Sequence, residues 1–166
     1  MRFQTNPALG PFLNAWGCHV TTILEKVEKK SGYAWSWSDA DTVIVYQAGI
    51  ANGAIQREVK DGAGNPVDGC DVLDGVKFFN LAAEMAGIPD RLKEYAHLPK
   101  DYVCQPGEEE ILECARDGHP GFHFMSGNGV PDPVTWQNEI EFDPWEGGSM
   151  TARVGYIVEK RILRFV

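Results

Sequence analysis

Between Gly17 and Lys30 the apolar residues return at helical spacing. Val20, Ile23, Leu24 and Val27 fall at i, i+3, i+4 and i+7 and draw one stripe. Glu25, Glu28, Lys29 and Lys30 lie off that stripe; the lysine pair suits the negative end of the helix dipole, and Gly32 ends the segment. A second helix is expected from Ser38, a capping residue followed by Asp39 and Asp41, through "DADTVIVYQAGIA". Its β-branched "TVIV" keeps a strand open as the alternative. "KDGAGNPVDG" reads as a loop, and a third helix runs from Val72 to Ala86, closed by Gly87 with Pro89 soon after. The second half changes period. "EILECARDG", "GFHFMSGNG", "NEIEFDPW" and "ARVGYIVEKRILRFV" are short apolar or alternating runs split by Gly, Pro, Asn and Asp, and they read as an antiparallel meander. Helices first and strands afterwards indicate an α+β architecture over residues 1–166 as a single domain. Its N-terminal helices, including the one that carries Cys18, would pack on a C-terminal antiparallel β-sheet.

Composition narrows the class of partner. At 166 residues, 43% hydrophobic, the chain is long enough to bury a core without staples. A net charge of -9, with the lysines and arginines scattered, argues against nucleic acid and anionic membrane, both of which call for clustered cations. No apolar run approaches the roughly 20 residues that span a bilayer. The segment "MRFQTNPALG" lacks the apolar centre of a signal peptide, so cytoplasmic residence is expected. Cys18, Cys70, Cys104 and Cys114 are widely spaced and are expected as free thiols.

Cys18 opens the first helix, where unpaired amides and the helix dipole favour a thiolate; a neighbouring imidazolium would favour it further. In "GFHFMSG", strand alternation puts Phe122 and Phe124 on one face and His123 and Met125 on the other, so His123 is a candidate base. Asp143 ends the next expected strand, and a hairpin would bring it beside His123 to orient the ring. The order Cys18, His123, Asp143 has the logic of nucleophile, base and orienter. The amide of Cys18 and the side chain of Gln4 are candidate oxyanion donors.

Gln4, then Gly17-Cys18-x-x-Thr21, then His123-Phe124 with Gly127, then Asp143-Pro144: this series resembles the papain-like cysteine peptidases. It is most similar to the bacteriocin-processing (double-glycine) peptidases and NlpC-type proteins. The middle of the chain resembles small phage and prophage proteins of uncharacterised function. The resemblance implies a papain-like fold and a cysteine hydrolase that cleaves a peptide or amide bond through a Cys-His-Asp triad, with Gln4 at the oxyanion. It implies a peptide, peptidoglycan-peptide or protein substrate and no cofactor or metal. His19 stands where that family has a small or apolar residue.

Plainer readings compete. Cys18 alone would be a small buried hydrophobe. His19 is expected to point off the apolar stripe into solvent, His97 to lie on the surface, and His119 to sit in a loop as a rival base. Trp35, Trp37, Trp136 and Trp145 read as packing, with Trp145 placed to wall a cleft, and residues 126–136 as a hairpin loop. Asp143-Pro144 alone would be a strand-ending turn. Cys104, Cys114, His119 and His123 are zinc-ligand types, but their spacing lacks the short knuckle of structural zinc sites. A catalytically silent papain-like binding module is the remaining alternative.

Overall fold

Two of the three helices begin where a side chain caps the first turn. The computed structural model describes residues 7–9, 13, 17–57, 59–60, 62–67, 69–118, 121–129, 140–144 and 155–166. Among these residues the helices are α1 (Cys18–Lys30), α2 (Asp39–Ala51) and α3 (Gly75–Ala86), after a short 3-10 turn at Pro7–Leu9. Ser38 Oγ accepts the Asp41 amide at 3.0 Å ahead of α2, and Asp74 Oδ1 accepts the Lys77 amide at 2.9 Å ahead of α3. The "TVIV" segment is helical because its buried residues, Thr42, Val45, Tyr46, Gly49 and Ile50, recur at helical spacing. Helix α3 starts three residues later than expected and closes at Gly87, whose φ of 70° suits glycine.

The strands are β1 (Val59–Lys60), β2 (Pro66–Val67), β3 (Leu92–Pro99), β4 (Glu109–Arg116), β5 (His123–Gly127), β6 (Ile140–Phe142) and β7 (Gly155–Phe165). β1 and β2 make a small hairpin inside the segment expected as a loop. The other five form one antiparallel sheet in the order β3-β7-β4-β5-β6. The fold is therefore α+β, with helices packed on an antiparallel sheet. The expected meander is corrected in two places. β3 lies outside the expected strands because a bulge between Leu92 and Glu94 breaks its alternation. β7 does not extend the series but inserts between β3 and β4. Its consecutive residues Lys160, Arg161, Ile162 and Leu163 are all buried, a pattern that needs a central position.

Val20, Ile23, Leu24 and Val27 of α1 are fully buried and share one core with Phe78 and Phe79 of α3, Ile111 of β4 and Leu163 of β7. Leu112, Cys114 and Met125 form a second cluster with Ile140 and Ile157. The apolar stripe of α1 is as expected, yet its polar side is inside as well: Glu25, Lys26 and Glu28 are all buried. Lys26 explains how. Its ammonium donates to Gly127 O at 3.0 Å and reaches Glu109 and Glu141, each at 3.2 Å. Lys29 reaches the same two carboxylates at 2.8 and 3.1 Å. Those hydrogen bonds and charges outweigh burial and hold the Lys29 ammonium well above its ordinary range. One turn N-terminal to Lys26, the Thr22 hydroxyl lies 2.6 Å from Cys18 O and 3.2 Å from Phe124 O, linking α1 to β5.

Cys18, Thr22 and Lys26 thus form a ladder along one face of α1. The eight residues from Cys18 to Lys26 span roughly 12 Å of helix. The four from His123 to Gly127 span roughly 13 Å of strand. The match lets Lys26 meet Gly127 at one end while Cys18 arrives at His123 at the other. No helix among the described residues is long and apolar enough to cross a membrane.

Removing one partner of a buried ion pair strands the others. Lys26→Met should therefore lower stability by about 3 kcal/mol, near the bottom of the range for such pairs because Lys29 remains. Urea unfolding measures it; a loss below about 1 kcal/mol would assign the docking of α1 to apolar packing alone.

Candidate functional site: a cysteine, histidine and aspartate at the start of α1

Gly17 delivers the chain into α1. Its N–H donates to Leu13 O at 2.9 Å, and a Cβ at this position would collide with that same carbonyl, so only glycine fits. Cys18 is the first residue of α1, and no side-chain cap covers the helix start. The Thr21 amide bonds Gly17 O at 2.9 Å, while its hydroxyl reaches the same oxygen at 2.8 Å. The amides ahead of Thr21 lie at the positive end of the helix dipole, with the Cys18 thiol beside them.

His123 is the first residue of β5, and Asp143 directly follows β6, its antiparallel neighbour. The expected hairpin brings the two together: His123 Nε2 lies 2.7 Å from Asp143 Oδ1, and both side chains are nearly buried. The Cys18 thiol also acts on this imidazole, raising its pKa together with Asp143. Burial alone would lower the His123 pKa. The hydrogen bonds to Asp143 and to Cys18, with the charges both partners carry when ionised, overcome it and push the pKa up to about 9. At neutral pH the ring is an imidazolium.

Other expected positions fare differently. Gln4, His119, Trp136 and Trp145 lie outside the described residues, as does most of the 126–136 loop. His97 is on the surface, 3.0 Å from Glu159. Trp37 is buried and Trp35 packs edge-on against it. Cys18, Cys70, Cys104 and Cys114 are free thiols. Cys104 faces Glu110 at 3.6 Å, and burial with that carboxylate pushes its thiol up to about 12. Cys114 sits opposite His123 across the β4–β5 pair, inside the second apolar cluster. Among the described residues, no three His, Cys, Asp or Glu side chains group as metal ligands.

The expectation for His19 is overturned. Its ring is buried, stacked on Phe124 with centroids 3.9 Å apart and planes within 7°, and its Nε2 lies 2.5 Å from the Tyr95 hydroxyl. Burial, then Arg161 and His97, lower its pKa to about 3, so the ring is neutral. Helical spacing placed His19 off the stripe correctly. What it could not convey is that Phe124 and Tyr95 cover that side of α1. The roles of Thr22 and Lys26 in setting α1 against β5 were also missed. Their recurrence at i+4 and i+8 from Cys18 was the signal available.

No family model matches the chain, and no curated protein or solved structure matches it either.

The raised His123 pKa has a definite sign in stability. A histidine whose folded pKa exceeds its unfolded value of about 6.5 contributes stability that is complete below that value and lost as pH rises through about 9. Denaturant melts of wild type and His123→Gln should therefore converge between pH 6.5 and 9. The ring should titrate near 9 by NMR, and Asp143→Asn should bring it down. A His123 that titrates near 6.5 in the wild type would remove the paired arrangement.

Proposed function

We propose that the chain is a papain-like cysteine hydrolase that cleaves a peptide or amide bond by acyl transfer. One observation carries this reading: Asp143 bonds one imidazole at 2.7 Å, and both Asp143 and a thiol at a helix N-terminus raise the pKa of that same ring. A soluble core has no need of that arrangement, and nucleophilic catalysis does.

In this mechanism the Cys18 thiolate attacks the carbonyl carbon, and charge collects on the carbonyl oxygen near the first amides of α1. His123 gives its proton to the leaving amine as the C–N bond breaks and the thioester forms. Because burial is overruled by Asp143 and Cys18, the ring is already protonated before attack. The neutral His123 then takes a proton from water, whose oxygen attacks the thioester, releasing the acid and restoring the thiolate with the protonated ring. Asp143 keeps the ring oriented through both halves. Gln4 is the proposed second oxyanion donor. Substrates of this chemistry are a peptide, a peptidoglycan peptide or a protein.

A catalytically silent binding module is the second reading, favoured by the low exposure of Cys18, 7%. Iodoacetamide labelling across pH with peptide mapping separates the two. Cys18 should react at pH 6 well ahead of Cys70, Cys104 and Cys114, and His123→Ala should slow turnover of a cleaved substrate by about 10²–10⁴-fold. Equal labelling of all four thiols, or a Cys18 no faster than an unstructured cysteine, would refute the nucleophile.

A further inference from the structure

A cavity of about 400 Å³ opens beside the candidate site, at the lower end of the size that holds small ligands. Its position is set by chain neighbours of the reactive pair. His19 follows Cys18, Phe122 and Phe124 flank His123, and all three line it. The cavity is thus lined by residues that adjoin both members of the reactive pair along the chain.

The floor is apolar and neutral. His19 stacks on Phe124 and is tied to the Tyr95 hydroxyl, and Gly75 at the start of α3 leaves room for the Tyr95 ring that a Cβ would strike. Phe122 is more than half exposed and offers an open ring face at the wall. The charges are unequal. Arg161 also lines the cavity, but Glu113 and Glu159 each hold its guanidinium at 2.7 Å. Asp71 and Asp74 line it as well, both exposed. Asp74 accepts the Lys77 amide, and among the described residues neither carboxylate takes part in an ion pair. The cavity therefore combines aromatic walls with a surplus of negative charge at its mouth.

We propose that this cavity is a subsite for a basic side chain of a peptide substrate, arginine ahead of lysine, next to the bond cleaved. Its place in the reaction rests on the hydrolase reading, while its ligand chemistry does not. The aliphatic stem lies along Phe122 and Phe124, the guanidinium plane stacks on the open Phe122 face, and Asp71 and Asp74 receive the charge. An acidic side chain in the same place meets two like charges. A leucine side chain fills the apolar part and leaves both carboxylates without a counterion.

The test is an NMR titration of the full chain with N-acetyl methylamides of arginine, lysine, leucine and aspartate. Arginine should bind most tightly and move the His19, Tyr95 and Phe122 signals. Each carboxylate should add up to about fivefold to its preference over leucine. Asp71→Asn, and Asp71→Asn with Asp74→Asn, should reduce that preference stepwise; asparagine at 74 still caps α3. Leucine or aspartate binding as tightly as arginine, shifts that map elsewhere, no binding at all, or a preference unmoved by both variants would overturn the subsite. Arginyl and leucyl chloromethyl ketones separate the two proposals. Selective arginine binding with an inert Cys18 keeps the subsite and removes the hydrolase. Alkylation of Cys18 at equal rates by both ketones keeps the thiol chemistry and removes the subsite.

Discussion

A fully buried lysine ammonium decides where everything else in this fold can sit. Lys26 has no water to satisfy it, so it must find oxygens inside, and Gly127, Glu109 and Glu141 supply them from three neighbouring strands. An apolar helix can slide or rotate on a sheet at modest cost, because one methyl contact resembles another. A charge that must meet three particular oxygens cannot. This fixes α1 along β5, and Thr22 repeats the constraint one turn nearer the N-terminus. The thiol and imidazole then meet because helix rise and strand rise bring them level.

The electrostatics at the two ends of that ladder differ in kind. At the Lys26 end, cations outnumber neither their partners nor their hydrogen bonds, and the cluster is static. Beside it the Glu25 carboxyl is pushed up mainly by burial, against the pull of Lys26 and Ser126. At the Cys18 end a protonated ring sits with a carboxylate and a thiol that both raise its pKa, where burial alone would have discharged it. Placing His19 next to this pair without placing a second cation there depends on its own burial, which keeps it neutral. Two adjacent residues, Cys18 and His19, thus face two opposite demands, one toward ions and one toward an apolar stack.

Much of this was legible in the residues. The stripe of α1, the cap at Ser38, the closure of α3 at Gly87, and the strands around His123 and Asp143 follow from short-range periodicity and turn chemistry, which one segment carries by itself. The pairing of His123 with Asp143 followed from two strands with a plausible hairpin between them. What escaped were facts that need two distant segments at once. β3 hid its alternation behind a bulge, so Tyr95 and the stack on His19 had no sign in the chain. Lys26 looked like one more surface lysine because nothing local announces that Glu109 and Glu141 lie above it. The insertion of β7 was written in its doubly buried run, yet which neighbours it would take was not.

That insertion bears on the order of assembly. The strand that joins β3 to β4 is the last described element of the chain, whereas the thiol lies in α1. A nascent chain therefore carries Cys18 long before it has His123, Asp143 or the centre of the sheet. Pairings of such sequence separation form late and slowly. During synthesis the cysteine would travel without its imidazole, and the sheet that sets the two side by side would close only with the last described strand.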